Sequence, residues 1–425
     1  MFSIEFLCRN YKNIIVFAGM LLIIRTSALK NHHHHHHHHC RAAFSTSWKT
    51  YIHNNNSNKN TERIVIGRQN TLEQKRFVNT NRLFSTVEFV QQDNTNNNNM
   101  VVNGKKEMYP MEMSEEEKYL FDLNGYLIIR NVFSKEEVKA ANEAIDRHSD
   151  DMIERSENAL RNAVKGSAMY GNGTGRKDLG GVLEWGKEDS KVFKDVLAHP
   201  RLVPLFHGLL GKGYRMDHLP FVIAQDKGAE GFQLHGGTVD CTSGEYNPHL
   251  AYTCHNGNLR CALLGCSLVL TDHKAGYGGF CVVPGSHKSN FKMPPGMVDG
   301  TNCRDAIIQP VTNAGDVVLF SEGTVHGALP WTPSDVQRRI CLYRFGPSTH
   351  VYGRSYFDAD TQTMGWPSKM YDDLNDAQRS VLEPPYANRL DRPEIQTDNP
   401  QEVSISSRNS RKKQHDKDLF GTKYF

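Results

Sequence analysis

Three short segments collect the residues able to do chemistry. The first is Gln233-Leu234-His235-Gly236-Gly237; the second runs from Gly279 to Lys288 through the turn Pro284-Gly285-Ser286-His287; the third runs from Gly315-Asp316 through His326 to Arg338. Imidazoles such as His235 and His326 can hold a transition metal, and the planar fork of an arginine suits a carboxylate. Arg338, Arg339 and Arg344 follow His326 in one strand-like run. Side chains two apart in a strand share a face, so residues 338, 340, 342 and 344 line up and Arg338 and Arg344 point the same way. Ordinary readings stand beside these. Among 21 histidines most serve as surface or satisfied core groups, and strand arginines are commonly solvated charges. His287, inside its turn, reads as structural. The glycine-rich stretch Gly171 to Gly181 lacks the lysine and the preceding apolar strand of a phosphate loop, so it reads as a flexible loop or lid.

These residues need elements to hold them. Ser114 with Glu117 and Ser134 with Glu137 make two capping boxes, each opening a helix, with Tyr126 to Ile129 as a brief strand between them. Val138, Ala141 and Ile145 recur at helical spacing. Val192 to Leu210 is again helical, interrupted at His199-Pro200. Beyond residue 215 the pattern changes to short strands: Phe221 to Ala224, Cys261 to Leu270, Gly279 to Val283, Val317 to Phe320 and Arg339 to Phe345. Many short strands without intervening helices indicate an antiparallel sandwich or barrel, and helices placed before them indicate a helical layer packed on that core. The class is mainly β with flanking helices (α+β), the barrel spanning about 215–350 within an ordered region 111–425 that ends in a carboxyl-terminal extension. With 50 Lys+Arg against 47 Asp+Glu, the formal charge of +3 is too small to suggest a nucleic-acid surface.

The ordered set of motifs resembles the phytanoyl-CoA dioxygenase family of iron(II)/2-oxoglutarate oxygenases. The PGSH turn, the Gly-Asp-apolar strand before a histidine, and an arginine a dozen residues after it recur there in this order. Also similar are the opening Phe121 to Val138 and, in one branch of the family, Leu183-Glu184-Trp185, Asp226-Lys227-Gly228, Leu234-His235-Gly236-Gly237 and Glu383-Pro384-Pro385-Tyr386. The resemblance implies a double-stranded β-helix (jelly-roll, cupin-like) core. It implies an enzyme that uses iron(II), 2-oxoglutarate and dioxygen to hydroxylate a small organic or lipid-like substrate, forming succinate and carbon dioxide. His235 and His326 match the two metal histidines, while His249, His255, His273 and His350 match no ligand position. The far carboxylate of 2-oxoglutarate falls to Arg338, with Arg339 as the alternative and Arg344 beside them.

One departure matters. The family's carboxylate ligand stands two residues after the first histidine, and that residue here is Gly237. Three explanations compete. Another carboxylate reaches the iron, with Glu322 preferred over Asp240 and Glu245; or the position is open, as in related halogenases, with Arg344 helping to hold a halide; or the protein is a catalytically silent binding module. Retention of His235, His326 and Arg338 favours an enzyme, and hydroxylation leads halogenation.

The amino-terminal part, residues 1–110, reads differently. Arg9 and Lys12 precede an apolar run, Ile14 to Ile24, too short for the roughly 20 residues of a spanning helix, and small residues follow it. Residues 29–61 lack acids, which with the preceding signal resembles the two-part presequence of complex plastids; a mitochondrial or secretory destination is the alternative. The run His32 to His39 reads as a tag or low-complexity tract, and Asn54 to Asn60 and Asn94 to Asn99 as spacer. The cysteines from Cys241 to Cys341 form no C-x-x-C pair and read as reduced core residues. The tail Arg408 to Lys417 reads as solvated. Small-molecule substrate and dioxygen are the expected partners, with neither nucleic acid nor stable membrane insertion.

Overall fold

Both capping boxes close. In the computed structural model Ser114 Oγ accepts the Glu117 N–H at 3.1 Å, and the Glu117 carboxylate accepts the Ser114 N–H at 2.9 Å. Helix α1 (Glu115–Asn124) follows, and Ser134 with Glu137 repeats the device for α2 (Lys135–Arg147). The structure describes residues 109–155, 163–172, 174–353, 357–358, 363–385, 394–399 and 401–406, with a few isolated positions beyond. The segment read as a presequence, the histidine run, both asparagine tracts, Tyr386 and nearly all of the basic tail lie outside the described residues.

The strands are β1 (Tyr126–Ile129), β2 (Ile153–Glu154), β3 (Lys177–Leu179), β4 (Arg215–Gln225), β5 (Phe232–His235), β6 (Tyr252–His255), β7 (Asn258–Cys261), β8 (Leu264–Val269), β9 (Gly279–Val282), β10 (Val317–Ser321), β11 (His326–Leu329) and β12 (Arg338–Gly346). A major sheet runs β1-β10-β8-β12-β4-β3-β2 and a minor sheet β5-β11-β9, with β6 and β7 a separate hairpin. Every pairing is antiparallel. This is the antiparallel β core that the short-strand pattern implied, and the jelly-roll that the family resemblance implied.

Alternation along the strands divides the major sheet into two faces. Leu264, Cys266 and Leu268 of β8, Val317 and Leu319 of β10, and Cys341, Tyr343 and Phe345 of β12 share one buried cluster with helices α3 (Lys187–Asp195) and α4 (Val203–Leu210). That is the helical layer. Polar groups within it are satisfied: Tyr343 Oη donates to the Phe193 carbonyl and Tyr214 Oη to that of Leu197, each at 2.8 Å. The alternate residues, Ser267, Phe320, Ile340 and Leu342, face a cavity between the sheets.

Two expectations change. Part of the stretch expected to be a flexible loop is strand: Lys177–Leu179 adds to the major sheet beside β4, with Leu179 buried. The cysteines are free, but Cys254 and Cys303 are exposed, so only five of the seven described are core residues. Among the described residues no helix is long and apolar enough to cross a membrane.

Candidate active site

His235 closes β5 and His326 opens β11, and the two stand directly opposite in the antiparallel register with ring centroids 4.3 Å apart. Their Nδ1 atoms are held alike. His235 Nδ1 lies 2.9 Å from the Gln233 carbonyl and His326 Nδ1 2.7 Å from that of Thr324. A carbonyl only accepts, so each Nδ1 carries the proton and each Nε2 keeps its lone pair, the tautomer a metal ligand needs.

The sequence motifs converge on the turn before His326. Ser286 Oγ accepts the Val325 N–H at 2.7 Å and itself donates to the Val283 carbonyl. Thr324 Oγ1 donates to the Gly125 carbonyl at 3.0 Å, and Gly285 N–H donates to that of Asn124. Gly125 is the left-handed cap of α1, with φ 80°, and a Cβ there would strike Thr324 and His287. His287 Nε2 donates to the Asp122 carbonyl at 3.0 Å, and burial pulls its pKa down to about 4, so it is a neutral buttress. Asp316, fully buried, accepts from the Arg130 guanidinium and from the Asn131 and Asn313 amides, anchoring the start of β10. PGSH, Gly-Asp and the α1 end are therefore supports for one histidine.

After His235 the strand stops. Gly236 and Gly237 have φ of 88° and 98°, and a Cβ on Gly237 would lie 2.5 Å from the Val239 carbonyl oxygen. Strand periodicity thus no longer places residue 237 beside His235, and its backbone admits no carboxylate side chain without moving. Glu322 comes nearest to filling that role, with Oε2 3.7 Å from His326 Nε2. Its other oxygen, however, accepts the Arg344 Nε–H at 2.6 Å. Burial would raise the Glu322 pKa, but neighbouring positive charge, that of the bonded Arg344 guanidinium foremost, outweighs it and holds the carboxyl below its ordinary range. Among the described residues no three His, Cys, Asp or Glu side chains are arranged to hold a metal. In this structure Glu322 is an ion-pair partner of Arg344, with its second oxygen turned toward His326. Asp240 accepts the Thr242 and Ser243 amides of its own turn, Glu245 is exposed, and neither lines the cavity.

The cavity, about 500 Å³, is lined by both histidines, by Arg338 and Arg344, and by an apolar wall that includes Phe280 and Phe320. Arg338 is 2% exposed. Its Nη1 donates to Gln225 Oε1 at 2.7 Å, while its buried Nε has no hydrogen-bond partner among the described residues. Burial, reinforced by nearby Arg176, lowers its pKa to about 9. A buried guanidinium that lines the cavity and has only a neutral side-chain partner fits the far carboxylate of 2-oxoglutarate. Arg339 does not. It lies on the opposite face of β12, bonded to Gln337 and paired with Asp146 at 2.7 Å. Sequence reasoning missed Arg155 and Arg176, which also line the cavity. The signal was the alternation Arg176, Asp178 just before Leu179, hidden by the surrounding glycines.

Residues 121–340 match the model of the phytanoyl-CoA dioxygenase (PhyH) family, and the chain belongs to that family. It is a non-haem iron, 2-oxoglutarate-dependent oxygenase, and the paired imidazoles and the cavity-lining guanidinium of Arg338 suit those two groups. Similar solved structures include HygX from Streptomyces hygroscopicus with nickel and 2-oxoglutarate bound, at 20% identity, covering 60% of this chain and 96% of that one, with a TM-score of 0.45. EctD from S. alaskensis in its apoform has 19% identity, 57% and 80% coverage and a TM-score of 0.41. The epimerase SnoN from nogalamycin biosynthesis has 16% identity, 65% and 95% coverage and a TM-score of 0.40. Comparison with curated proteins gives no match.

Proposed function

We propose that His235 and His326 hold iron(II), that Arg338 binds the far carboxylate of 2-oxoglutarate, and that the chain hydroxylates a small organic substrate in the cavity. The observation that carries this is the convergence, on one cavity, of two histidines with protonated Nδ1 and one buried arginine with an orphaned N–H. Iron bound there supplies oxidation of a substrate C–H by dioxygen, coupled to conversion of 2-oxoglutarate to succinate and carbon dioxide. The chain's own part is positional. Thr324 and Gln233 carbonyls fix the imidazoles, and Phe320, its ring tilted with the centroid 4.6 Å from that of His326 and 5.0 Å from that of Phe280, adds an apolar wall beside them.

The Gly237 backbone favours one second reading, halogenation, because it leaves a coordination position that no described side chain fills. Iron(II) and 2-oxoglutarate mixed without oxygen should give a weak visible charge-transfer band that His326→Ala abolishes. Its absence from folded wild-type protein would sink the oxygenase site assigned here and leave a binding module. Once a substrate is found, products made with and without chloride separate the two reactions: hydroxylation ignores the salt, and halogenation needs it.

A further inference from the structure

The turn that delivers His326 also brings a carboxylate to it. Glu322 stands four residues earlier, its side chain 7% exposed, with Oε2 3.7 Å from His326 Nε2. The backbone of the turn is tied on both sides: Glu322 N–H donates to the Leu263 carbonyl at 3.1 Å, and Thr324 N–H donates to that of Ser321 at 2.8 Å. Gly236 lets this turn come close, because a Cβ there would lie 2.8 Å from the Glu322 carbonyl oxygen and 3.0 Å from that of Thr324. The glycine pair that takes away a carboxylate after His235 thus makes room for one from the turn before β11. Arg344 fixes that carboxylate. Its Nε–H bonds Oε1 at 2.6 Å, which leaves Oε2 turned toward the imidazole with no hydrogen-bond donor among the described residues. His326 Nδ1 keeps its proton on the Thr324 carbonyl, so Nε2 and Oε2 meet as acceptor and acceptor. A buried negative oxygen facing a lone pair is unfavourable until a cation lies between them.

We propose that Glu322 is the carboxylate ligand of the iron, taking through Oε2 the place that Gly237 leaves, and that Arg344 is its positioning residue. The inference deepens the oxygenase reading and rests on it for His235 and His326 as metal ligands. As the structure stands, the three side chains are not gathered for a metal. The remaining movement is small. Two donors at right angles on one transition-metal ion, each about 2.1 Å from it, stand about 3 Å apart, so less than about 1 Å of closure brings Oε2 into place. Glutamate's outermost torsion is broad and soft, so the oxygen moves without a change of backbone. A carboxylate there closes the position that halogenation needs and so favours hydroxylation.

Anaerobic iron(II) titration of the full-length protein at saturating 2-oxoglutarate, followed by the visible band that His326→Ala removes, tests this. The double variant Glu322→Gln with Arg344→Met deletes one charge of each sign, so the net charge of the site is kept and a fall in iron affinity reports the lost ligand. Exchange of a buried ion pair for neutral groups is often neutral for stability, and circular dichroism checks the fold. Half-maximal band formation should need about tenfold more iron(II) than in the wild type, or more. A second double variant, Glu322→Ala with Arg344→Met, leaves space where the carboxylate stood, and added acetate should recover most of its loss while leaving the wild type unchanged. Where the first double variant does not fold, Glu322→Gln alone, which keeps an acceptor for the Arg344 Nε–H, carries the test with the same threshold. Iron affinity within about twofold of the wild type in the glutamine variant overturns the proposal, and so does a loss in the alanine variant that acetate leaves untouched. A band absent from the wild type as well removes the two-histidine site and this ligand with it, whereas a band formed equally by wild type and variant removes this ligand alone.

Discussion

A guanidinium enclosed with only a neutral amide for company is retained against its own desolvation, which amounts to several kcal/mol for a buried ion. Arg338 is in that position, and its pKa near 9 reports the same strain. Replacing it with an apolar side chain of similar length removes the penalty along with the ligand. Arg338→Met is expected to keep or raise the thermal midpoint of the metal-free protein and to abolish stabilisation by 2-oxoglutarate, which at a hundredfold excess over Kd is worth about 2.7 kcal/mol in the wild type. Arg339→Met gives the contrast. Its ion pair with Asp146 involves a carboxylate 62% exposed, so its loss should cost no more than about 1 kcal/mol and leave the 2-oxoglutarate shift intact. Thermal melts with and without the co-substrate decide the matter. A retained shift in Arg338→Met would show that the far carboxylate sits elsewhere.

At the scale of elements, the site depends on where strands end. β5 stops at His235 because two glycines take left-handed backbone, and β11 begins at His326 because Ser286, Thr324 and Gly125 fix the turn before it. Gly237→Asp therefore should not rebuild a two-histidine, one-carboxylate set. A side chain at φ 98° and a Cβ 2.5 Å from the Val239 carbonyl predict a loss of roughly 1–3 kcal/mol, with no gain in iron affinity. Denaturant melts and anaerobic iron titration measure both. Tighter iron binding at wild-type stability would mean the turn is free to become strand. The capping boxes, the period-two strands and the order of the histidine and arginine motifs were legible because neighbouring residues determine them. The pairing of Glu322 with Arg344 and the joining of β3 to β4 were not, since each depends on contacts between distant segments. Local patterning names the strand but not its partner, so Arg176 read as part of a loop although it lines the cavity.

Across the whole molecule, a formal charge of +3 conceals an interior where arginines are charged and several histidines must not be. His199, His207 and His287 are each pulled by burial from the ordinary 6.5 to about 4. Their surroundings agree: His199 Nδ1 accepts the Arg201 N–H, and His207 Nε2 and His287 Nδ1 are buried without hydrogen-bond partners among the described residues. Between pH 6.5 and 4 the unfolded chain binds protons at these rings that the folded chain refuses, so stability falls as the pH falls through that window. At about 1.4 kcal/mol per pKa unit each ring contributes up to roughly 3 kcal/mol, and three together rival the whole stability of a domain. The carboxylates held below their usual range, Asp217 and Glu322, give way only at lower pH and so cannot produce the same loss. The three histidines sit in and beside the helical layer and under the turn that carries His326, so acid should open the helices and the metal site in one transition. Circular dichroism melts from pH 8 to 4 should show a flat midpoint down to about 6.5 and a steep decline below it, with His207→Gln making the decline shallower. A midpoint that holds steady to pH 4 would show that these rings accept protons in the folded state.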